Sequence, residues 1–253
     1  MNTTTSRTEI ETPLIAFHGD AELKAAMLRE IAWHREQDKI EHGHYGQNFR
    51  SQNTFKGCAV GCSINSLNRI KGLKLDTGNH ADYEKYLGIP RILARLEDGI
   101  FEGMPSAESL DWPGKFLAAI PVGADLSMVW PQFAHWLLVD ATDGVIKFAK
   151  KEATKLAIAA VGALFARWIA GDKPSSDEWW AARSAAYAYA YAYADAAAYA
   201  AAYAAAAAAD AADAAARRLA RLRQSEKLAE LLAAAPVGTA KRISTAQKKE
   251  GGR

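Results

Sequence analysis

The residues best suited to chemistry are the two cysteines of the chain, which lie four positions apart in the motif Gly-Cys-Ala-Val-Gly-Cys. If this stretch is helical, Cys58 and Cys62 share one face of the helix, one turn apart. That orientation is poor for a disulfide, and the Cys-x3-Cys spacing differs from the Cys-x2-Cys knuckle of structural zinc sites. Three interpretations stay open: close packing of a small-residue helix face, reactive or ligating thiols, and a disulfide.

Histidines supply the partners that a functional thiol would need. His34 continues an apolar helical stripe, which predicts a histidine at the edge of the core with a hydrogen-bonded ring. His80 falls in the first turn of a predicted helix, where the helix dipole favours the neutral imidazole that a base or a ligand requires. A histidine within hydrogen-bonding reach of a cysteine makes a thiolate nucleophile feasible. The candidate catalytic residues are therefore Cys58, Cys62, His80 and His34.

A second pair of histidines, His42 and His44, lies in a polar segment rich in glycine and amide side chains, which predicts a loop. A His-x-His pair on a loop is able to place two imidazoles on one metal ion. Together with two thiolates it has the composition of a zinc site. This pattern alone is too weak to favour a metal site, and no cofactor is predicted from the sequence. A zinc site, if the protein has one, is expected to use Cys58, Cys62, His42 and His44.

Glu97 and Asp98 are adjacent carboxylates of the kind that acid–base catalysis uses. They lie on a helix predicted over 90–102, where adjacent side chains point about 100° apart. The apolar residues of this segment define the face that packs on the core. The pattern therefore places both carboxylates on a solvated face, together with Arg91, Arg95 and Glu102.

These residues are expected to be positioned by a globular helical domain over residues 19–171. Asp20 is the predicted N-cap of its first helix, and Pro131 is expected to kink or break the helix that contains it. Residues 1–18 are expected to be a disordered N-terminus. Periodic apolar residues and capping signals predict helices over 20–39, 79–86, 90–102, 125–137 and 145–170.

An alanine-rich run follows this domain. Within residues 181–216, 25 of 36 residues are alanine and six are tyrosine. Ser175 and Glu178 form a capping box at its start, and no helix breaker occurs before Pro236. Residues 172–236 are therefore predicted to form a long helix or a helical hairpin. Because alanine buries little area, this extension is expected to pack on the preceding helix, fold back on itself or associate with a second copy.

Composition limits the classes of protein to which the chain belongs. A net charge of +2 gives no general affinity for nucleic acid or anionic membranes. The absence of a recognisable signal peptide or of an apolar stretch of about 20 residues, together with only two cysteines, predicts a cytoplasmic protein. Residues 237–253 are expected to be a disordered basic tail that touches phosphate only weakly.

Several motifs follow one another in a fixed order after Gly-Cys-Ala-Val-Gly-Cys: Tyr-Leu-Gly-Ile-Pro at 86–90, Leu-Ala-Arg-Leu-Glu-Asp-Gly-Ile-Phe-Glu-Gly at 93–103, Trp-Pro at 112–113 and Phe-Leu-Ala-Ala-Ile-Pro-Val-Gly-Ala-Asp at 116–125. This order and the alanine-rich run resemble uncharacterised proteins encoded by bacteriophages, prophages and bacteria. Those proteins more often interleave Trp-Ala-Ala-Ala-Arg units, whereas this chain changes to alternating tyrosine and alanine. The resemblance implies a phage-encoded protein in a bacterial host cytoplasm and carries no established activity.

Two functions from different classes are consistent with these features. The first is a non-catalytic binding or interaction protein that acts on a host component, for example as an anti-defence protein, and uses the alanine-rich helix for packing or self-association. It rests on the absence of a phosphate-binding loop, a Gly-x-Ser-x-Gly elbow and a His-Glu-x-x-His motif. The alternative is a Cys/His-dependent enzyme, or a small-ligand or metal-binding protein, centred on Cys58 and Cys62. The sequence leaves the ligand, the partner and the oligomeric state open.

Overall fold

The structure, a computed structural model, is built from α-helices, which confirms the all-α class predicted from the sequence. It describes residues 14–46, 54–182, 184 and 214–238. These ranges contain three isolated β-bridges but no sheet, and none of their helices is long and apolar enough to cross a bilayer. Two 3-10 turns, Ala16–Gly19 and Val145–Phe148, and a helical stretch over 176–182 accompany the α-helices. The α-helices are α1 (Ala21–Glu36), α2 (Ala59–Lys71), α3 (Asp82–Leu87), α4 (Arg91–Gly103), α5 (Ser106–Ser109), α6 (Trp112–Ala119), α7 (Val129–Val139), α8 (Glu152–Ile169) and α9 (Ala214–Ala233).

The main core lies where α1, α2, α4 and α6 pack together, with α9 lying across α4, α6 and α7. Aromatic side chains fill much of this space, and each such ring buries roughly 150–250 Å². The largest fully buried side chains include Trp112, Tyr83, Phe17, Phe101 and Phe116. A smaller core between α7 and α8 contains Ala134, Leu138, Val145 and Phe165.

The globular domain extends beyond the predicted limits of 19–171 at both ends. Ala16 and Phe17, which were expected in a disordered N-terminus, are fully buried. Leu228 and Leu232 of α9, which were expected in an extension, are fully buried in the main core. These leucines lie one turn apart, so both face the helices that α9 covers. The last part of the predicted extension therefore belongs to the domain.

The beginning of the alanine-rich run is described, whereas residues 183 and 185–213 lie outside the described residues, as does most of the predicted basic tail. The predicted capping box is confirmed. Ser175 Oγ accepts a hydrogen bond from Glu178 N–H at 3.3 Å, and Glu178 Oε2 accepts one from Ser175 N–H at 2.8 Å. Trp179 then packs on Phe165 of α8, with 4.7 Å between ring centroids. The helix begins where the sequence predicts and packs on the preceding helix from its first turn.

Pro131 does not break the helix that contains it, contrary to the prediction. Because α7 begins at Val129, Pro131 lies in the first turn, where a backbone N–H has no intrahelical acceptor to lose. Asp125 does not cap this helix. Its Oδ1 accepts a hydrogen bond from Ser127 N–H at 2.9 Å and stabilises a turn before α7.

Asp20 caps α1 as predicted, since its Oδ1 accepts hydrogen bonds from the N–H groups of Glu22 at 2.9 Å and Leu23 at 3.1 Å. Asp20→Ala leaves both donors without this acceptor and should lower the free energy of unfolding by about 1 kcal/mol. Asp20→Asn keeps a capping oxygen and should retain most of the stability. Urea unfolding of the three proteins measures the difference. An equal loss in both variants would contradict a capping role.

The helix that positions the predicted site is α2, in which all residues from Ala59 to Leu67 are buried. Its first turn contacts the loop that follows α1. A Cβ atom on Gly61 would lie 2.6 Å from the carbonyl oxygen of Tyr45, so only glycine permits this approach. The small residues between Gly57 and Cys62 therefore do form a close-packing face. It is covered by loop backbone, where the sequence suggested another helix.

Candidate metal centre

Cys58 is the N-cap of α2 and precedes its first helical residue. Its Sγ accepts a hydrogen bond from Gly61 N–H at 3.4 Å, as a capping atom does. Its own N–H donates to the carbonyl oxygen of His44 at 2.8 Å. Cys58 is only 1% exposed. The loop after α1 and the start of α2 therefore enclose this sulfur.

Cys62 lies one turn further along α2 and is fully buried. Its thiol donates to the carbonyl oxygen of Gly57 at 3.3 Å. Both cysteines are free, which removes the disulfide interpretation. Burial raises the pKa of both thiols far above the usual range, and the negative charge of Asp98 raises that of Cys58 further. Both sulfurs are therefore protonated thiols at neutral pH.

The two carboxyl groups of α4 are not on a solvated face, contrary to the prediction. Glu97 is fully buried, and the side chain of Asp98 is 14% exposed. α4 packs against α2, which places Asp98 beside Cys58 and buries Glu97. The sequence did contain one signal: Leu93, Glu97 and Phe101 recur at every fourth position, so Glu97 falls on the apolar stripe of the helix.

Asp98 accepts hydrogen bonds from several elements around α4. Its Oδ2 accepts one from the Tyr45 hydroxyl at 2.8 Å and lies 3.4 Å from Nε2 of His80. Burial favours the neutral acid, but hydrogen bonds from His80, Cys58 and Tyr45 outweigh it and hold the pKa of Asp98 below its usual range. Asp98 is therefore ionised. Its other oxygen, Oδ1, is buried and has no hydrogen bond of standard geometry.

Cys58, Asp98 and Glu102 form what we call the Cys58–Asp98–Glu102 cluster. One atom from each, a sulfur and two carboxylate oxygens, lies within 4.8 Å of the other two. Within the described ranges, no other group of three histidine, cysteine or acidic side chains meets this criterion. Glu102 is exposed, so the cluster opens to solvent on that side, and both of its carboxylate oxygens lie 3.0 Å from the N–H of Gly43.

His80 is the candidate histidine that lies beside this cluster, although it is not one of its three members. Its Nδ1 faces the carbonyl oxygen of Gly78 at 3.2 Å, and its Nε2 faces Asp98 Oδ2. Both neighbours are hydrogen-bond acceptors. The ring therefore lies between the backbone at Gly78 and the carboxylate of Asp98. Of the four candidate catalytic residues, the structure brings Cys58 and His80 to the same carboxylate.

His34 lies in the core away from this carboxylate. It is fully buried, and neither ring nitrogen has a hydrogen-bond partner, so the ring hydrogen bond expected from the sequence is absent. Its ring packs against the aromatic rings of Trp33 and Phe55. Burial, assisted by the positive charges of Arg69 and Lys39, lowers the pKa of His34 to about 4. His34 is therefore a neutral core residue.

His42 and His44 contact other partners. His42 Nε2 lies 2.7 Å from the Ser109 hydroxyl, and its ring packs edge-on against Phe101. His44 Nδ1 accepts a hydrogen bond from Gly46 N–H at 3.2 Å. Among the described side chains, the ligand atoms of these two histidines and of the two cysteines do not come together, so the predicted four-residue zinc site is not formed. The groups beside Cys58 that could bind a metal with it are the carboxylates of Asp98 and Glu102, where the sequence predicted His42 and His44.

Glu97 is a second buried carboxyl group next to Asp98. Its Oε2 accepts a hydrogen bond from the Tyr83 hydroxyl at 2.7 Å, and its Oε1 has no partner. Burial raises the pKa of Glu97 well above its usual range; the bond from Tyr83 opposes this shift and the charge of Asp98 adds to it. Two adjacent carboxyl groups thus differ in protonation, because several donors surround one of them and a largely apolar environment surrounds the other.

Comparisons with known proteins do not place the chain in a family. No protein-family model, curated protein or solved structure matches it. The chemistry of the site is therefore inferred from its geometry. That geometry defines a mixed sulfur and carboxylate centre between α2 and α4, flanked by an imidazole and a phenol and open to solvent at Glu102.

Proposed function

We propose that this protein is a binding protein and that the Cys58–Asp98–Glu102 cluster holds a single Zn²⁺ ion. The observation that carries the proposal is the separation of 4.8 Å or less among its sulfur and two carboxylate oxygens. Zinc accepts both thiolate and carboxylate ligands. Magnesium and calcium prefer oxygen ligands alone. The sulfur of Cys58 therefore favours zinc among the common divalent ions.

The dimensions of the cluster are close to those of a zinc site. Ligand atoms around tetrahedral zinc lie roughly 3.3–3.7 Å apart, because Zn–O is about 2.0 Å and Zn–S about 2.3 Å. Atoms up to 4.8 Å apart therefore need to approach by roughly 1–1.5 Å at most. Glu102 is exposed and is held at both oxygens by a single donor, Gly43 N–H, so the movement requires only that this contact loosen. Three protein ligands leave the fourth tetrahedral position for water.

Charge supports a cation at this position. Within the described part of the chain, His80 is the basic side chain that contacts Asp98, at 3.4 Å, and no lysine or arginine forms an ion pair with Asp98 or Glu102. The buried Oδ1 of Asp98 has no hydrogen bond of standard geometry, and a metal ion would supply a partner for it. A bound zinc ion would also lower the pKa of the Cys58 thiol, because zinc deprotonates a thiol that coordinates it.

The state of the thiols favours a binding role over thiol catalysis. A cysteine nucleophile must be an accessible thiolate. Cys58 and Cys62 are both buried, and burial raises the pKa of each. His80 contacts the carboxylate of Asp98. A Cys/His-dependent reaction therefore has less support from this arrangement than metal binding has.

The sequence extends the proposal to partners. The resemblance to phage-encoded proteins carries no established activity. Action on a host component, for example as an anti-defence protein, is the hypothesis that follows from the missing catalytic motifs and the alanine-rich extension. The alanine-rich run predicts packing on a protein partner or on a second copy of the chain. The main part of this run lies outside the described residues, so both points stay predictions from the sequence.

Titration with Co²⁺, a spectroscopic substitute for zinc, tests the metal site. The wild-type protein should develop a near-ultraviolet charge-transfer band from thiolate to cobalt, and added Zn²⁺ should remove it. Cys58→Ser should abolish the band because it removes the sulfur of the cluster. Cys62→Ser is the matched control. It replaces the other buried thiol, which donates to Gly57, and should keep the band.

Two outcomes would overturn the proposal. The first is a wild-type protein that shows no thiolate band and whose thermal midpoint does not change with Zn²⁺. The second is a band that survives Cys58→Ser but disappears in Cys62→Ser. Far-ultraviolet circular dichroism of both variants verifies that each is folded before its metal binding is compared.

A further inference from the structure

Tyr45 contacts each of the elements that surround the Cys58–Asp98–Glu102 cluster. Its hydroxyl donates to Asp98 Oδ2 on α4 at 2.8 Å. Its ring meets the ring of His80 edge-on, with 5.5 Å between centroids. Its backbone lies against the first turn of α2 at Gly61. Tyr45 is therefore held both at its backbone and at its hydroxyl.

The Tyr45 hydroxyl determines which oxygen of Asp98 is free to bind a ligand. The last torsion of an aspartate side chain has a broad, roughly two-fold preference, so a contact is needed to select one orientation. Tyr45 and His80 both lie at Oδ2, whereas Oδ1 is buried and has no hydrogen bond of standard geometry. The contact from Tyr45 is the shorter of the two, at 2.8 Å against 3.4 Å.

We infer that Tyr45 is the positioning residue of the metal site and that it orients Asp98 so that the free oxygen is presented to the ion. This inference rests on the proposed function. Tyr45 acts through Asp98 and is not itself a ligand. Residues that orient metal ligands in this way typically change metal affinity by about 10–100-fold when they are replaced.

The position of Tyr45 depends in turn on Gly61. A Cβ atom at this position would lie 2.6 Å from the carbonyl oxygen of Tyr45 and 2.9 Å from its carbonyl carbon. Both distances are shorter than real side chains tolerate, and the obstructing atoms are backbone. Any larger residue at 61 must therefore displace the loop. Gly61 thus gives a way to move Tyr45 without changing a proposed ligand.

Tyr45→Phe removes the hydroxyl and leaves every proposed ligand in place. Titrated with Co²⁺ and then Zn²⁺, this variant should bind about 10–100-fold more weakly than the wild type. Its thiolate-to-cobalt band should also change in position or intensity, which a purely structural role of the hydroxyl would not cause. Tyr86→Phe is the matched control, since it removes a hydroxyl that lies beside Lys85, and it should bind metal like the wild type.

Gly61→Ala is a second test and should weaken metal binding in the same direction. If Tyr45→Phe and Gly61→Ala both bind metal as tightly as the wild type does, the inference about Tyr45 is overturned and the metal site stands. If the wild type binds no metal, the proposed function is overturned and the inference with it. Circular dichroism of each variant confirms that a lower affinity does not reflect unfolding.

Discussion

Acidification from pH 6.5 to pH 4 should lower the free energy of unfolding by about 3 kcal/mol through His34. The imidazole is fully buried between aromatic rings, and neither of its nitrogens has a hydrogen-bond partner. Burial and the positive charges of Arg69 and Lys39 lower its pKa from 6.5 to about 4. Protonation in place would therefore create an unpaired charge in the core.

The sign of this effect follows from the lowered pKa. Above pH 6.5, His34 is neutral in the folded and the unfolded chain, and its full contribution to stability is present. Between pH 6.5 and pH 4, only the unfolded chain binds the proton, so stability is lost as the pH falls. Asp98 and Glu178 also have lowered pKa values, but their ordinary values of 3.8 and 4.5 place their losses at lower pH.

Urea unfolding across this pH range measures the effect of His34. His34→Leu removes the titrating group and fills a similar volume. The stability of the wild type relative to this variant should therefore fall by about 3 kcal/mol from pH 6.5 to pH 4, a difference in which the opposite contribution of Glu97 cancels. His135→Gln replaces a partly exposed histidine and should leave the wild-type curve unchanged. A difference between the wild type and His34→Leu that stays constant across this range would contradict a neutral, buried His34.

The Glu97→Gln variant should gain stability relative to the wild type as the pH rises. The difference should grow by about 1.4 kcal/mol for each pH unit above 4.5, the ordinary pKa of the carboxyl group, for as long as folded Glu97 keeps its proton. Burial raises the pKa of Glu97 well above that value, and the charge of Asp98 raises it further against the hydrogen bond from Tyr83.

Because its pKa is raised, Glu97 makes the stability of the protein change with pH in the opposite direction to His34. Below pH 4.5, the carboxyl group is protonated in both states, and its contribution to stability is fully present. Above that pH, the unfolded chain releases the proton whereas the folded chain retains it. Stability is therefore lost as the pH rises, until the pH passes the pKa of the folded state.

The slope of the stability difference against pH is the quantity to measure for Glu97. Glutamine cannot ionise, and its oxygen still accepts the hydrogen bond from Tyr83. Its amide group occupies the position of Oε1, which has no partner, and this adds a cost that does not vary with pH. Glu108→Gln, at an exposed position, is the control. Parallel curves for the wild type and Glu97→Gln would show that Glu97 is ionised in the folded protein.

The sequence alone determined the helical class and several helix ends, because these depend on residues close together in the chain. Asp20 caps α1, and Ser175 with Glu178 caps the helical stretch that follows α8, both through hydrogen bonds to groups two or three residues away. The sequence also named Cys58 and His80, since their residue types are rare and chemically distinctive. Local propensity and side-chain chemistry are sufficient for predictions of this kind.

Only the tertiary structure decided which side chains surround Cys58. Asp98 and Glu102 are 40 and 44 positions further along the chain, and Tyr45 lies 13 positions before it. Their charge favoured a solvated face for Glu97 and Asp98. Although Glu97 follows the apolar spacing of Leu93 and Phe101, the sequence alone does not show which neighbouring helix covers that face. The packing of α2 on α4 covers it, buries both carboxyl groups and sets their opposite protonation. The two cysteines with which the sequence began thus have different surroundings: Cys62 lies in the core, and Cys58 lies at a carboxylate cluster suited to a metal ion.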